Sequence, residues 1–388
     1  MPRTATPRAA LRRLAVVGTI LALAACGSDP VAGPAAPRPP APSSSSSEAA
    51  SAPASGAASA APPGAPSAAA PAAPSGPKVV ARGLEAPWGI AFLPGGDALV
   101  SERDTARVVR IPAAGGEPAL VTTVAQAAPA GEGGLLGLAV SPSFATDDLV
   151  FAYVTTADDN RIVRFRLSSP TDVEPVLTGI PKGRTHNGGR LAFGPDGLLY
   201  AGTGDVGDTS LSQNERSLGG KVLRMTADGE PAEAAGSLVF SRGHRNVQGL
   251  AFDASGTLYA TEFGQDRFDE VNVLVEGGNY GWPTVEGAPG SADPRFTAPI
   301  VTWETSEASP SGAAILGGSL YVAALRGQRL WRVPLAGGDP EALLQGDYGR
   351  LRAAATAPDG SLWVLTSNRD GRGEPSGSDD RVLRLTVA

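Results

Sequence analysis

Ala192-Phe193-Gly194-Pro195-Asp196-Gly197 reads as the end of an apolar strand followed by a tight turn into the next one. The same phrase recurs as Ala91-Phe92-Leu93-Pro94-Gly95-Gly96, Ala139-Val140-Ser141-Pro142 and Ala251-Phe252-Asp253-Ala254-Ser255-Gly256. It returns as Ala314-Ile315-Leu316-Gly317-Gly318 and Ala355-Thr356-Ala357-Pro358-Asp359-Gly360. A second phrase of alternating apolar and mostly basic residues follows each copy. Examples are Arg107-Val108-Val109-Arg110, Lys221-Val222-Leu223-Arg224 and Arg381-Val382-Leu383-Arg384, with Glu270-Val271-Asn272-Val273 in the fourth copy. That alternation is expected of a half-exposed strand. Short strands repeating every few tens of residues without a sustained helical period predict an all-β, six-bladed β-propeller. The sixth copy lacks its outer strand, and Lys78-Val79-Val80-Ala81-Arg82 is positioned in sequence to supply it and close the ring.

Working outward, the propeller should occupy residues 78–388, and two segments precede it. Residues 1–26 carry Arg3, Arg8, Arg12 and Arg13 ahead of an uncharged run from Leu14 to Ala25. The run is too short to span a bilayer and reads as a signal peptide. It ends in Leu23-Ala24-Ala25-Cys26-Gly27, which resembles the lipobox of bacterial lipoproteins and makes Cys26 the expected lipidation site. Residues 27–77 are an Ala/Pro/Ser-rich linker expected to be disordered, since they offer too little apolar surface to offset ordering entropy. The expectation is an exported domain, lipid-anchored to the membrane and not otherwise embedded in it, on the extracellular or periplasmic face.

Composition narrows the chemistry. The chain has 388 residues, 32 basic and 39 acidic, a formal charge of −7, two His and one Cys. Loss of the four leader arginines takes the charge to −11, which argues against a nucleic-acid partner. One Cys excludes a disulfide framework, and two His exclude a three-His metal site. With only Lys78, Lys182 and Lys221, arginine supplies nearly all positive charge.

His186 precedes the inner strand of the third repeat and His244 that of the fourth, so both hold the same address at one mouth of the central channel. A pair of His at such entrances points to a site there, and two-His metal ligation is also conceivable. Arg245, Arg326, Arg350 and Arg352 fall on loops facing the same end, a set suited to a compact polyanion.

Gly243-His244-Arg245-Asn246-Val247-Gln248-Gly249 and Gly277-Gly278-Asn279-Tyr280-Gly281-Trp282-Pro283 resemble the soluble quinoprotein glucose and aldose sugar dehydrogenases. His186 with Gly189-Arg190-Leu191, Gly204-Asp205 and Gly133-Gly134-Leu135-Leu136-Gly137 fit other signatures of that family, in the same order from about residue 82 onward. The resemblance implies a six-bladed propeller binding pyrroloquinoline quinone (PQQ) and calcium. It implies oxidation of an aldose at the anomeric carbon to the lactone, with electrons passed to an external acceptor. His186 is then the general base toward the anomeric hydroxyl while hydride passes to the quinone. Arg245 and calcium polarise the quinone oxygen, and Asn246 contacts the quinone. Arg326, Arg350 and Arg352 hold carboxylates, Trp303 and Glu132 lie against the cofactor, and Asp205 lies close to the substrate. The backbone carbonyls of Gly264 and Gln265 hold calcium.

The sequence departs from the glucose enzymes in several places. Gln265 replaces a Pro, Glu132 replaces a cofactor-contacting Gln and so adds negative charge beside an anion, and Thr185 replaces an Asp. Asp208 to Asn214 have no clear counterpart. These changes leave the reaction type standing and the sugar open. The alternative is a non-catalytic extracellular propeller binding a glycan or protein through the same mouth. A metal-dependent lactonase propeller would need several acidic ligands, and no such set assembles.

Overall fold

The computed structural model describes residues 76–232, 236–287 and 293–387. The leader, Cys26 and all but the end of the Ala/Pro/Ser-rich segment lie outside them. Within the described residues there are six four-stranded antiparallel sheets. Their inner strands are Pro87–Phe92, Leu135–Val140, Leu191–Phe193, Val247–Phe252, Pro310–Leu316 and Leu351–Thr356. Each inner strand contacts the next around a ring, and the last contacts the first. The recurring Ala-containing phrase marks the end of each inner strand and the turn that follows it. Among the described residues, helix is limited to the single turns Phe144–Asp147 and Ser210–Gln213.

The ring closes between the two ends of the domain. Lys78–Ala81 pairs antiparallel with Val382–Leu385 and becomes the outer strand of blade six, with Val79 opposite Leu383. Trp363 of blade six meets Phe92 of blade one edge-on at 5.2 Å, inside a core that also buries Val80, Val109 and Leu365. Similar apolar layers lie between the other blades, for example Phe151, Leu191, Leu199 and Leu223 between blades two and three.

The third strand of each blade is more buried than its alternation suggests. Val108, Ile162, Val222, Val271, Leu330 and Leu383 are all fully buried, because both sheet faces pack on neighbouring blades. The basic residues are absorbed at the strand ends. In five blades the first of them grips the loop that joins strands two and three. Arg107 pairs with Glu102, Arg161 with Asp159 and Arg381 with Asp379, each at 2.6–2.8 Å. The Arg329 Nε donates to the Gly327 carbonyl. The Lys221 ammonium, buried and pushed down to about 8 by desolvation and then Arg242, donates to the carbonyls of Leu211, Ser212 and Gly219. Blade four puts Glu270 at this position, directly across from Glu262. Its loop is therefore held differently from the other five.

Candidate active site

The loops that precede inner strands and those that follow second strands meet at one end of the ring, and His186 stands among them. Its backbone is left-handed, φ +51°, in a run completed by Gly188 at +63° and Gly189 at +109°. A non-glycine residue there is costly unless its surroundings hold it. Gly204 supplies part of that hold, since a Cβ on it would sit 1.8 Å from the His186 carbonyl oxygen. The Glu132 carboxylate accepts the His186 N–H at 2.9 Å, and Asn246 Oδ1 accepts the Gly188 N–H at 3.0 Å.

The imidazole has a definite polarity. Asp205 is fully buried and its Oδ1 lies 2.7 Å from His186 Nδ1. Burial pushes the Asp205 pKa upward, but hydrogen bonds from His186, the Gly207 N–H and the Trp282 indole outweigh it and hold the carboxyl below its ordinary value. An ionised Asp205 accepts, so Nδ1 carries the proton and Nε2 is the free base. The Arg245 Nη2, which can only donate, lies 2.9 Å from Nε2. The structure places Asp205, which the resemblance set close to the substrate, against His186 Nδ1 with both oxygens engaged.

The Gly-Gly-Asn-Tyr-Gly-Trp-Pro stretch explains itself as support for this pair. Trp282 Nε1 donates to Asp205 Oδ2 at 2.9 Å, and Arg245 lies over the Trp282 ring at 5.6 Å. Asn279 exchanges amide hydrogen bonds with Gln213, and Tyr280 stacks on His244 with centroids 4.7 Å apart. His244 itself is fully buried. Its Nδ1 meets Glu262 at 2.7 Å and its Nε2 meets Ser241 at 2.8 Å. The two histidines at the shared address therefore differ: the His186 ring lies between Asp205 and Arg245, whereas the His244 ring is fully buried between Glu262 and Ser241, and the two form no two-His metal site.

Glu132, which holds the His186 N–H, also lines a cavity of about 160 Å³. Arg103, Arg326, Arg350, Arg352 and Arg372 line it too, together with Trp88 and Gln248. Asp370 binds Arg350 at 2.8 Å and Arg352 at 3.3 Å through one oxygen. Burial, with Arg103 and Arg350 adding to it against the pull of Asp370, pushes Arg352 down to about 9. Its Nε finds no acceptor among the described residues. Arg190 and Arg352 both lie against the Trp88 ring, at 4.3 and 5.9 Å, and both donate to Gln248. Arg326 is exposed at the rim. Glu132 is neutralised by Arg372 at 2.8 Å. Burial would raise its pKa, but the His186 N–H and Arg372 keep it lowered. The buried Asn246 keeps an unpartnered Nδ2 at this site.

Trp303 does not line the cavity. It sits on the outer strand of blade four opposite Asp269, buried between blades and stacked on Trp331 at 5.3 Å. Its apolar ring is consumed by packing.

In blade four, Glu286 Oε1 accepts the N–H groups of Gln265, Asp266, Arg267 and Phe268 at 2.7–3.1 Å. The Gly264 N–H goes to Asp269, whose carboxyl burial pushes up to about 6 against the opposing hydrogen bonds from Ser309 and Gly264. The carbonyls of Gly264 and Gln265 accept no hydrogen bond among the described residues. The Gln265 side chain adds something its carbonyl role did not imply: its Oε1 accepts Arg245 Nε and Nη2 at 3.0 and 2.7 Å. No group of three or more His, Cys, Asp or Glu arranged to hold a metal occurs among the described residues.

Sequence reasoning missed Trp88, Arg103, Gln248, Asp370 and Arg372. Arg103 was recoverable, because it follows the second strand of blade one much as Arg326 follows that of blade five.

Comparison with known proteins agrees with this geometry. The sequence model of the family described as Glucose / Sorbosone dehydrogenase matches residues 84–377. The PQQ-bound aldose sugar dehydrogenase of Streptomyces coelicolor is 53% identical. That match covers 81% of this chain and 99% of that one, with a TM-score of 0.76. The aldose sugar dehydrogenase YliI of Escherichia coli is 29% identical over 330 residues, 74% of this chain and 89% of that protein. Quinoprotein glucose dehydrogenase B of Acinetobacter calcoaceticus is 30% identical over 251 residues, 54% of this chain and 52% of that protein.

Proposed function

The chain belongs to the glucose/sorbosone dehydrogenase family and is a quinoprotein sugar oxidoreductase. On that premise we propose that it binds PQQ and calcium, oxidises an aldose at the anomeric carbon to the lactone, and hands the electrons to an external acceptor. The observation that carries the reading is the unprotonated Nε2 of His186, fixed by Asp205 and met by Arg245, next to Glu132 of an arginine-lined cavity.

The residues suit the cofactor. Five guanidiniums around a cavity, one of them buried with an unused N–H, are a fit for a compact tricarboxylate. Arg326, Arg350 and Arg352 would hold carboxylates, and Arg245 and Asn246 the quinone edge. The two unclaimed carbonyls of Gly264 and Gln265 are the hard oxygen donors that calcium takes. When bound, PQQ supplies the electron-pair acceptor for hydride leaving the anomeric carbon.

The rest is done by the chain. The sugar hydroxyl replaces the Arg245 N–H at His186 Nε2 and gives its proton there. Asp205 stabilises the resulting imidazolium through Nδ1 without taking the proton. Arg245, steadied by Gln265 and Trp282, stays beside the reacting group as a fixed positive charge. Glu132 keeps the His186 backbone in its left-handed turn. We also propose that Cys26 carries a lipid that tethers the enzyme outside the cytoplasm.

Reconstitution of the purified full-length protein with PQQ and calcium tests the reading. The quinone absorbance and dye reduction are followed across a panel of aldoses, and the product is identified. Sugar-dependent bleaching and a lactone product are expected, with loss of turnover on chelation of calcium. A spectrum indifferent to every sugar would sink the proposal.

A further inference from the structure

Arg372 is absent from the set of anion-binding residues that sequence and resemblance supply, yet its placement is more deliberate than that of an ordinary surface arginine. It lies in the stretch between strands Leu362–Thr366 and Val382–Leu385 of blade six. Asp370 organises that stretch with all three of its oxygens. Its Oδ2 takes Arg350 and Arg352, its Oδ1 takes the backbone N–H of Arg372 at 2.9 Å, and its carbonyl takes Arg103 Nη2 at 3.2 Å. The carboxylate that orients two cavity arginines thus also fixes the backbone of a third. Packing adds to this. A Cβ on Gly373 would come within 2.9 Å of the Arg350 side chain and 2.5 Å of the Asn368 carbonyl oxygen, so the loop lies directly on Arg350.

The Arg372 side chain lines the cavity and is 59% exposed, with one ion pair, to Glu132. Glu132 is 16% exposed and already spends one oxygen on the His186 N–H. A bare Glu132 would repel a polyanion at the place where the chain otherwise gathers positive charge. An exposed guanidinium with one partner is free to share or transfer its fork to a ligand carboxylate at small cost, unlike the buried Arg352.

We infer that Arg372 is a further cofactor-binding residue, which cancels the charge of Glu132 and offers its guanidinium to a carboxylate of the bound polyanion. The inference rests on the proposed PQQ reading. It also accounts for how a Glu is accommodated at position 132 beside an anion site.

The test is a titration of the full-length apoprotein with PQQ, read as quenching of tryptophan fluorescence and repeated at low and high salt. Arg372→Gln should weaken binding roughly tenfold and flatten its salt dependence, since the Glu132 charge is bared beside the anion and one charge-assisted contact is lost. Glu132→Gln keeps an acceptor for the His186 N–H, and in the Arg372→Gln background it should restore the part of the affinity lost to the bared charge. That rescue separates charge cancellation from loop damage, which a second substitution would not repair. Wild-type binding with Arg372→Gln unchanged in affinity and salt dependence would overturn this inference alone. Weakened Arg372→Gln binding with no rescue in the double variant would also overturn it. A wild type that binds no PQQ would remove the cofactor reading and this inference together.

Discussion

Asp205 Oδ1 lies 2.7 Å from His186 Nδ1, on the side of the ring away from Arg245. The contact does more than tie two side chains together. It decides which nitrogen is protonated, and so leaves the basic lone pair on Nε2, facing Arg245.

Asp205→Asn should therefore cost turnover without costing cofactor. An amide at that position stabilises no imidazolium and permits the wrong tautomer. The expected fall in kcat is about 10²-fold to 10⁴-fold, close to that of His186→Ala. PQQ affinity, which depends on the arginine side of the mouth, should remain near wild type. Steady-state dye reduction and a PQQ titration on the same preparations check both halves. Full turnover in either variant would show that the proton leaves by another route.

The ring closure makes a stability prediction. Leu383 is fully buried on the strand that receives Lys78–Ala81, opposite Val79, and packs in the layer with Leu351 and Val364. Leu383→Ala should destabilise the protein by about 2–5 kcal/mol through lost transfer energy and the cavity left behind. An exposed change nearby, such as Thr386→Ala, should be close to neutral. Denaturant melts of both variants against wild type measure the contrast. A near-neutral Leu383→Ala would mean that the blade is not closed by these ends.

Much of this was readable in advance. The blade count came from a turn phrase repeated because each blade needs the same corner. The closing strand followed from the incomplete sixth copy. His186 and the arginines stood out because their residue types are rare or share one address. What stayed hidden depends on contacts that local sequence does not encode. His244 and His186 share that address, but only a stacked Tyr280 and a buried Glu262 make the first structural. Arg103 meets Asp370 across 267 residues, a contact created by closure of the ring. Trp303 was assigned by family resemblance, whereas its outer-strand position commits it to Trp331. Glu270 was visible as the one acid in a basic phrase, but its meaning needed Glu262 across the sheet.

That pair gives a pH-dependent prediction. Glu270 is buried. Desolvation first, and the charge of Glu262 next, push its pKa well above the ordinary carboxyl value. The folded state thus holds a proton that the unfolded chain has already released, so stability falls as pH rises from near 4.5 through the raised pKa. Asn272 Oδ1, buried without a partner beside Glu270, is an acceptor that a neutral side chain could satisfy. Glu270→Gln keeps an oxygen for the Gly287 N–H and carries no charge to desolvate. Its melting temperature relative to wild type should rise between pH 5 and pH 9, with the gain appearing on the alkaline side. A constant difference across that range would mean that Glu270 is ionised throughout.

The tether makes the last prediction. Cys26 is the one cysteine in the chain and follows an uncharged run too short to cross a bilayer. Among the described residues no helix is long and apolar enough to do so either. On the proposed lipidation of Cys26, attachment would rest on acyl chains whose hydrophobic contribution grows by about 0.8 kcal/mol per buried CH₂. Cys26→Ser removes that attachment and leaves every residue of the propeller unchanged. In cells that process lipoproteins, the wild-type protein should partition into the detergent phase and the variant into the aqueous phase. Sugar oxidation by the reconstituted variant should match wild type, because the cavity lies entirely between Trp88 and Arg372 in sequence. Aqueous partitioning of the wild type would remove the lipid and leave the catalytic reading untouched.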